Sequence, residues 1–266
     1  KMGEGTPGLG ALDGKAAAPE ACTVIEEVGS TAVGALTLGF LAMAIAAVFM
    51  IMKATSTDAQ RKIFYLINAY VCGIAAVSYF AMLSGQGWIV IAGCRQFFYA
   101  RYLDWALTTP LLLFDLSLLA GVDSVTLASV VGADLFMILG GFMGAVSTLT
   151  AVRWFWFLFA MGMYSLVLIA FTSTFREALY CSADPVRERG RLELYGRLAW
   201  LTVIMWSFYP LVWLFSEGLD AFSVSFEAVA YTITDLLSKV GFGFLMVQGH
   251  EFLLASPPPA EAQGLV

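Results

Sequence analysis

Seven long apolar stretches constrain this sequence more than any other feature. Each is close to the roughly 20 residues that an α-helix needs to cross the hydrocarbon core of a membrane. Because that core offers no hydrogen-bonding partners, the backbone of each stretch must satisfy itself, which a helix does. Of the 266 residues, 60% are hydrophobic and 13% are charged. The sequence therefore predicts an all-α, integral membrane protein with seven transmembrane helices. The predicted spans cover 31–52, 63–83, 97–119, 125–149, 154–174, 198–215 and 226–254.

Basic residues in the loops predict the orientation of this bundle. The loops on one side hold eight lysines and arginines, and those on the other side hold four. The positive-inside rule then places the N-terminus outside and the C-terminus in the cytoplasm. We expect a multi-pass protein of the plasma membrane. We expect an extracellular N-terminal tail at 1–27, a seven-helix domain at 28–254 and a cytoplasmic tail at 255–266. The first 20 residues lack the basic and apolar regions of a signal peptide, so we interpret them as a disordered tail.

The composition argues against nucleic-acid, metal and disulfide chemistry. With a net charge of −6 and a single histidine, the chain lacks the clustered basic residues that nucleic-acid binding requires. Its four cysteines, Cys22, Cys72, Cys94 and Cys181, show neither CxxC pairs nor metal-ligand spacing. We therefore expect no nucleic-acid partner, no metal site and no disulfide framework.

The third span carries charges that hydrocarbon should exclude. Arg101, Asp104, Thr108 and Asp115 fall near one face of a helix. The two aspartates lie roughly 16 Å apart along the axis, at about 1.5 Å per residue. A charge at bilayer depth costs at least about 2.5 kcal/mol on insertion scales, and such charges usually mark an ion or proton path. A buried ion pair that fixes helix packing is the alternative.

The seventh span contains a second unusual pair. Lys239 is the only lysine inside a predicted span, and Asp235 lies four residues earlier on the same face. The two could simply neutralise each other. Alternatively, a desolvated lysine amine can condense with a carbonyl to form a Schiff base, for which Asp235 and Asp104 would serve as counter-ions.

Aromatic residues recur along one stripe of the sixth span, at Trp206, Tyr209 or Pro210, and Trp213. Such a stripe is usually core packing. Trp105, next to Asp104, changes this interpretation, because two tryptophans could sandwich a flat conjugated chain. Together with a lysine for attachment, these residues favour a pocket for a polyene aldehyde.

Four motifs, in this order on seven spans, carry a resemblance to a known family. They are ARYLDWALTTPLLLFDL in the third span, VGADLFMILGG in the fourth, WSFYPLVWLFSEG in the sixth and DLLSKVGFG in the seventh. The chain resembles the microbial (type I) rhodopsins, and within them the light-driven proton pumps of the bacteriorhodopsin, fungal and green-algal kind. The resemblance implies an all-trans retinal cofactor, protons as the transported ion and contact with membrane lipid. It is also compatible with a homo-oligomer.

The resemblance also implies a role for each charged residue. Lys239 would hold retinal covalently as a protonated Schiff base. Asp104 would be the primary counter-ion and proton acceptor, with Thr108 as its hydrogen-bond partner, and Asp115 would be the internal proton donor. The remaining roles are those of the second counter-ion Asp235, its partner Tyr79, the mobile Arg101, and the proton-release pair Glu217 and Glu227. The chromophore would be lined by Trp105, Thr109, Leu112, Met137, Gly141, Trp206, Tyr209, Pro210 and Trp213.

Two aspartates favour a pump over the other activities of the family. Asp104 opposes a chloride pump, because a fixed anion there repels chloride, and Asp115 is replaced by an uncharged residue in most sensory relatives. Light would lower the proton affinity of the Schiff base relative to Asp104, and Asp115 would reprotonate it from the cytoplasmic side, giving outward transport. A light-gated channel or a sensory photoreceptor is the alternative. Channel relatives carry several acidic residues in the second span, where this chain offers only Asn68.

Three positions depart from the family pattern or lack a clear role. In the fifth span, RWFWFLFAMGMY leaves open whether Phe157 is joined in the pocket by Ala160 or by Gly162. Asn68 is expected near Asp115, where it would either alter proton donation or satisfy a polar core position. Asp134 in the fourth span is expected to bond Thr109 in a structural role.

Overall fold

A computed structural model describes residues 22–180 and 185–255, and most of this chain is helical. Seven helices within these residues are long and apolar enough to cross a membrane, which confirms the predicted all-α bundle. We number them in chain order. The first four are α1 (Ser30–Thr55), α2 (Ala59–Leu83), α3 (Tyr99–Ala120) and α4 (Ser124–Ala145). Of the predicted tails at 1–27 and 255–266, residues 1–21 and 256–266 lie outside the described residues, as does Cys181.

The last three transmembrane helices each contain a π-helical turn. Helix α5 joins Thr150–Ile169 to Phe175–Tyr180 through a π turn at Ala170–Thr174. Helix α6 runs over Pro185–Trp213 and ends in a π turn at Leu214–Gly218. Helix α7 comprises Val224–Asp235, a π turn at Leu236–Gly241, and Phe242–Ala255. Such turns are frequent at functional sites, and the last one contains Lys239.

A short hairpin closes the end of the bundle at which the N-terminal segment lies. Strands β1 (Ile89–Ile91) and β2 (Arg95–Phe97) pair antiparallel between α2 and α3. Glu26 forms an isolated bridge with β2, and its backbone exchanges hydrogen bonds with Cys94 and Gln96. We call this end, which carries residues 22–29 and the hairpin, the N-terminal end of the bundle.

The expectation of no disulfide is wrong, because Cys22 and Cys94 are bonded across 72 residues of sequence. The two cysteines lie in segments that precede α1 and α3, and both segments emerge at the N-terminal end. Local spacing contains no trace of such a pairing, since α1 and α2 intervene and return the chain to the same end. Cys72 is a free, buried cysteine within α2, as expected for a residue inside a span.

The outer faces of the helices are apolar and exposed, as a lipid environment requires. Large side chains on these faces expose a third or more of their surface, among them Leu38, Leu103, Leu107, Phe155 and Leu158. The charged side chains Arg101, Asp104, Asp115, Asp134, Asp235 and Lys239 are instead buried inside the bundle. Most of the buried charge among the described residues therefore lies on α3 and α7.

Candidate functional site

A cluster of three charges occupies the centre of the bundle. The Lys239 ammonium contacts Asp104 Oδ2 directly and lies 2.9 Å from Asp235 Oδ1. None of the three side chains is more than 1% exposed. Asp235 and Lys239 lie on one face of α7 at a spacing of four residues, while Asp104 reaches them from α3. The predicted lysine and its two predicted counter-ions are therefore brought together.

Asp235 is held by several donors besides the lysine. The Tyr79 hydroxyl donates to its Oδ2 at 2.8 Å, and the Tyr209 hydroxyl donates to its Oδ1 at 2.6 Å. The Trp105 indole N–H is 3.3 Å from the same Oδ1. Sequence reasoning assigned this role to Tyr79 alone and placed the other two in the cavity wall. These three donors fix the position of Asp235 and provide hydrogen bonds to both of its carboxylate oxygens.

Asp104 is held less completely than Asp235. Its Oδ1 is buried and accepts no hydrogen bond from the described residues. Thr108, expected as its partner, donates from Oγ1 to the Asp104 backbone carbonyl at 2.8 Å. Asp104 Oδ2 contacts the lysine directly, which places this carboxylate within reach of a proton on Nζ.

Asp115 lies farther along α3 and is fully buried. The Asn68 side-chain N–H groups donate to Asp115 Oδ2 at 2.7 Å and to the Phe64 carbonyl at 2.9 Å. Asp115 Oδ1 has no partner within the described chain, and Leu112, Leu116 and Leu119 of the same helix belong to the buried apolar core. A Cβ on Gly243 would come within 2.7 Å of Asn68 Oδ1, so glycine there allows α7 to pack against this amide. Asp115 and Asn68 form the expected contact.

At the N-terminal end, Glu227 is held by two arginines. Arg101 Nη1 donates to Glu227 Oε1 at 2.6 Å, and Arg95 Nη2 donates to Oε2 at 2.9 Å. The Arg101 guanidinium also lies over the Tyr231 ring, 4.3 Å from its centroid. Glu217 is buried, and neither of its carboxylate oxygens is hydrogen-bonded in the described part of the chain. Sequence reasoning missed Arg95, which it counted only among the loop charges that set orientation.

An aromatic cavity adjoins the charge cluster through Trp105 and Tyr209, which line it and also bond Asp235. The empty space measures about 660 Å³, including the part that opens to the outside. Eight of the nine predicted pocket residues line it, namely Trp105, Thr109, Met137, Gly141, Trp206, Tyr209, Pro210 and Trp213. The ninth, Leu112, is buried in the adjoining apolar core and does not line the cavity.

The structure settles the register of the fifth span. Phe157 and Ala160 line the cavity, whereas Gly162 is exposed on the outer face of α5. The Phe157 ring stacks on Trp213, with centroids 5.0 Å apart and planes within 15°. The lining residues that sequence reasoning missed are Tyr102, Ile138, Met161, Tyr164 and Tyr231. Aromatic and aliphatic spacing alone could not separate these five from lipid-facing neighbours.

One polar contact ties the cavity wall to α4. Thr109 Oγ1 contacts Asp134 Oδ2 at 2.6 Å and donates to the Trp105 carbonyl at 2.8 Å. The Thr109 hydroxyl is the donor in both contacts, so its one proton is shared between the Asp134 carboxylate and the Trp105 carbonyl. The expected Asp134 and Thr109 contact is therefore present, and it fixes the wall beside Trp105.

The cavity and the charge cluster together suit a conjugated aldehyde. Apolar and aromatic walls match a flat hydrocarbon chain, and the neighbouring lysine is a nucleophile that reacts with a carbonyl group. Two carboxylates then compensate the positive charge that remains on Nζ.

Comparisons with known proteins extend over most of the chain. A sequence profile of the family described as "Bacteriorhodopsin-like protein" matches residues 32–252. Archaerhodopsin-2 of Halobacterium sp. (strain aus-2) is 33% identical over 235 residues, covering 86% of this chain and 89% of that protein. The proton pumping rhodopsin AR2 from the marine alga Acetabularia acetabulum is 32% identical with a TM-score of 0.79, covering 88% of this chain and 100% of that chain. The light-driven proton pump LR (Mac) from Leptosphaeria maculans is 29% identical with a TM-score of 0.80, covering 87% and 98%.

Proposed function

This chain belongs to the bacteriorhodopsin-like family of retinal-binding membrane proteins, and on that premise we propose that it is a light-driven outward proton pump. The observation that carries the proposal is the arrangement on α3. Asp104 touches Lys239, and the buried Asp115 lies about three turns along the same helix. One acidic side chain can accept a proton from the lysine nitrogen, and a second can return one from the opposite side.

Retinal is the cofactor of this family, and bound to Lys239 it supplies light absorption and the change of shape that starts the cycle. The aromatic cavity is its proposed site, with Trp105, Trp206 and Trp213 among the side chains that hold it. The chain itself supplies the groups that hold and move the proton.

The first transfer runs from Lys239 Nζ to Asp104. These atoms are in direct contact, so no rearrangement of the backbone is needed to bring donor and acceptor together. Asp235 is also in contact with Nζ, but three other side chains already donate hydrogen bonds to its carboxylate oxygens. Asp104, whose Oδ1 accepts no hydrogen bond from the described residues, is therefore the acceptor in this proposal.

The second event is release on the N-terminal side, which the distribution of basic residues assigns to the exterior. Protonation of Asp104 removes a negative charge from the centre of the bundle, which weakens the inward attraction on Arg101. Arg101 already bonds Glu227, so its guanidinium can shift its charge toward Glu227 and Glu217 and favour loss of a proton there.

The third event restores the lysine. Asp115 gives its proton toward Nζ. The carboxylate that remains is stabilised by the hydrogen bond that the Asn68 N–H group already donates to it. Asp115 then refills from the cytoplasmic side. Because Asp104 has received its proton on the exterior side and Asp115 donates from the other, the net movement is outward. The downhill steps must together exceed about 2.3 kcal/mol for each 100 mV of opposing potential.

The deciding experiment is expression with all-trans retinal, followed by illumination of unbuffered cells with and without a protonophore. We expect a coloured protein and acidification of the medium that the protonophore abolishes. Lys239→Ala provides the control, because it keeps the fold but removes the attachment point and should give neither colour nor acidification.

Other outcomes identify the alternatives. A coloured protein without acidification would indicate a sensory photoreceptor, and light-induced currents that reverse with the ion gradient would indicate a channel. Failure of the wild-type chain to form a pigment would contradict retinal binding itself.

A further inference from the structure

Arg95 is the one charged group of the hairpin that reaches into the bundle. It lies at the start of β2, next to the disulfide-bonded Cys94, and is only 5% exposed. Its Nη2 donates to Glu227 at 2.9 Å and to the Phe222 carbonyl at 2.8 Å. Its Nη1 lies 3.3 Å from Glu26 and 3.2 Å from Asp220. A loop arginine so placed is held by four groups and is not free to swing away.

The two carboxylates of the proposed release pair are consequently unlike each other. Glu227 accepts a charge-assisted hydrogen bond on each oxygen, from Arg95 and Arg101. Glu217 accepts none on either oxygen from the described residues, although it is equally buried. Two guanidinium groups stabilise an ionised carboxylate, whereas a buried carboxyl without donors is most stable when neutral.

The surroundings of Glu217 support this difference. The charged groups that face it are Glu227, Arg101 and Arg95, and the tyrosines Tyr102 and Tyr231 interact with it electrostatically. Both arginines are already engaged by Glu227, whose negative charge opposes a second carboxylate beside it. One proton shared by this pair therefore belongs on Glu217.

We infer that Arg95 is a positioning residue of the release pair, which fixes Glu227 as a carboxylate so that Glu217 carries the proton to be released. The statement that this proton is released rests on the proposed function. The position of the proton on Glu217 in the resting protein does not depend on it. In the proposed cycle the charge of Arg101 shifts toward both glutamates, so Arg101 alone does not distinguish Glu227 from Glu217. Arg95, held by Glu26 and Asp220 as well, keeps one cation on Glu227 throughout.

The test is light-induced infrared difference spectroscopy of the retinal-loaded protein in lipid nanodiscs, with a pH-indicating dye to time proton release. In the wild type, we expect a protonated carboxyl band that is lost in Glu217→Gln and kept in Glu227→Gln. Arg95→Gln should weaken or move this band and change the timing of release, while the transfer from Lys239 to Asp104 keeps its wild-type rate. Arg95→Lys, which retains the positive charge, should restore the band in large part.

Arg153→Gln is the matched control, because Arg153 lies at the same end and bonds the Ser147 carbonyl but not the release pair. It should leave the band and the timing unchanged. A band lost in Glu227→Gln and kept in Glu217→Gln would overturn the inference, and so would an Arg95→Gln protein identical to the wild type. If Arg95→Gln fails to fold, the comparison of the two glutamate variants still decides. A pigment that shows the band but does not acidify the medium would contradict the pump and leave the inference standing.

Discussion

At the scale of single residues, Asp104 and Asp235 share one lysine but differ in how firmly they are held. Three side chains donate to Asp235, while Asp104 keeps an oxygen without a partner among the described residues. A firmly bonded carboxylate is a good permanent counter-ion and a poor proton acceptor. The division of roles between two chemically identical groups therefore follows from the donors around them.

Asp104→Asn should abolish outward acidification while the pigment still forms. The amide cannot accept the proton from Lys239, whereas Asp235 remains as a counter-ion. Loss of one negative charge beside the positive nitrogen should also shift the absorption maximum, which a spectrum of the purified protein measures. Asp58→Asn is the control, because that exposed aspartate caps α2 and asparagine caps equally well. Light-driven acidification by Asp104→Asn at the wild-type level would exclude Asp104 as the acceptor.

Asp115→Asn should leave colour and the first proton transfer intact but slow the recovery of the resting state. The variant removes the internal donor, so the lysine must wait for a proton from the cytoplasmic solution. Flash photolysis at several pH values checks this, and recovery should become slower as the pH rises because the supply of protons falls. An unchanged recovery time would contradict the donor role.

Asn68→Ala should have a milder effect at the same step. The carboxylate that forms on Asp115 would lose its one side-chain donor among the described residues. A hydrogen bond of this kind is worth about 0.5–1.5 kcal/mol, which corresponds to a slowing of up to about tenfold. Flash photolysis of Asn68→Ala beside Asp115→Asn measures the difference. Equal recovery in Asn68→Ala and the wild type would show that the amide only satisfies the core.

At the scale of elements, the close packing of α1 against α2 and α7 supports the charge cluster from outside. A Cβ on Gly39 of α1 would lie 2.5 Å from the Tyr79 ring and 3.0 Å from Thr232. Tyr79 is fully buried and bonds Asp235, so the ring has little room to retreat. Helix α1 thus contributes to the site through a residue without a side chain.

Gly39→Ala should destabilise the pigment and shift its absorption, because the methyl group displaces Tyr79 from Asp235. Overpacking of this kind typically costs about 1–3 kcal/mol. Thermal loss of the visible absorption band measures the effect. Gly34→Ala is the matched control on the same helix, since nothing lies within 4 Å of its Cβ position and alanine favours the helix. Equal melting of the two variants would contradict the role of Gly39.

The elements differ in how far the sequence could predict them. The seven spans could be predicted from hydropathy alone. A bilayer offers no hydrogen-bond partners to the backbone, so a long apolar stretch must form a helix there. The hairpin was missed, since strands of three residues carry too little periodicity to recognise. The π turns in α5, α6 and α7 were missed as well, because their residues read as ordinary helix. Helix α6 begins at Pro185, well before the predicted span at 198–215.

The sequence predicted those site residues whose burial in a membrane costs the most free energy. Lys239, Asp104 and Asp235 stand out because charges inside apolar spans need partners, and the structure brings them together. Arg95 does not stand out, because a basic residue in a polar loop costs nothing in sequence and its burial depends on the tertiary fold. The hydrogen bond from Tyr209 to Asp235 was not predicted for a similar reason. An aromatic residue at helical spacing in the sequence looks the same whether it only packs in the core or also donates a hydrogen bond.

At the scale of the whole molecule, three separate chain segments are joined at the N-terminal end. The disulfide joins Cys22 to Cys94, and Glu26 accepts a hydrogen bond from the Val224 backbone N–H as well as from Arg95. The N-terminal segment, the hairpin and the start of α7 are therefore held together over the proposed exit. A bilayer restrains the helices but not these polar segments, which explains why the covalent bond lies here.

Replacing both cysteines, Cys22→Ser with Cys94→Ser, should lower the thermal stability of the pigment without changing its colour. The bond closes a loop of 72 residues, for which chain entropy allows a stabilisation of about 4 kcal/mol. That value is an upper limit, because α1 and α2 remain helical in the bilayer and the unfolded loop is not a free coil. Colour should persist because no cavity-lining residue belongs to the joined segments. A reducing agent should lower the melting temperature of the wild type to that of the double variant and leave the double variant unaffected; an equal effect on both would refute the contribution of this bond.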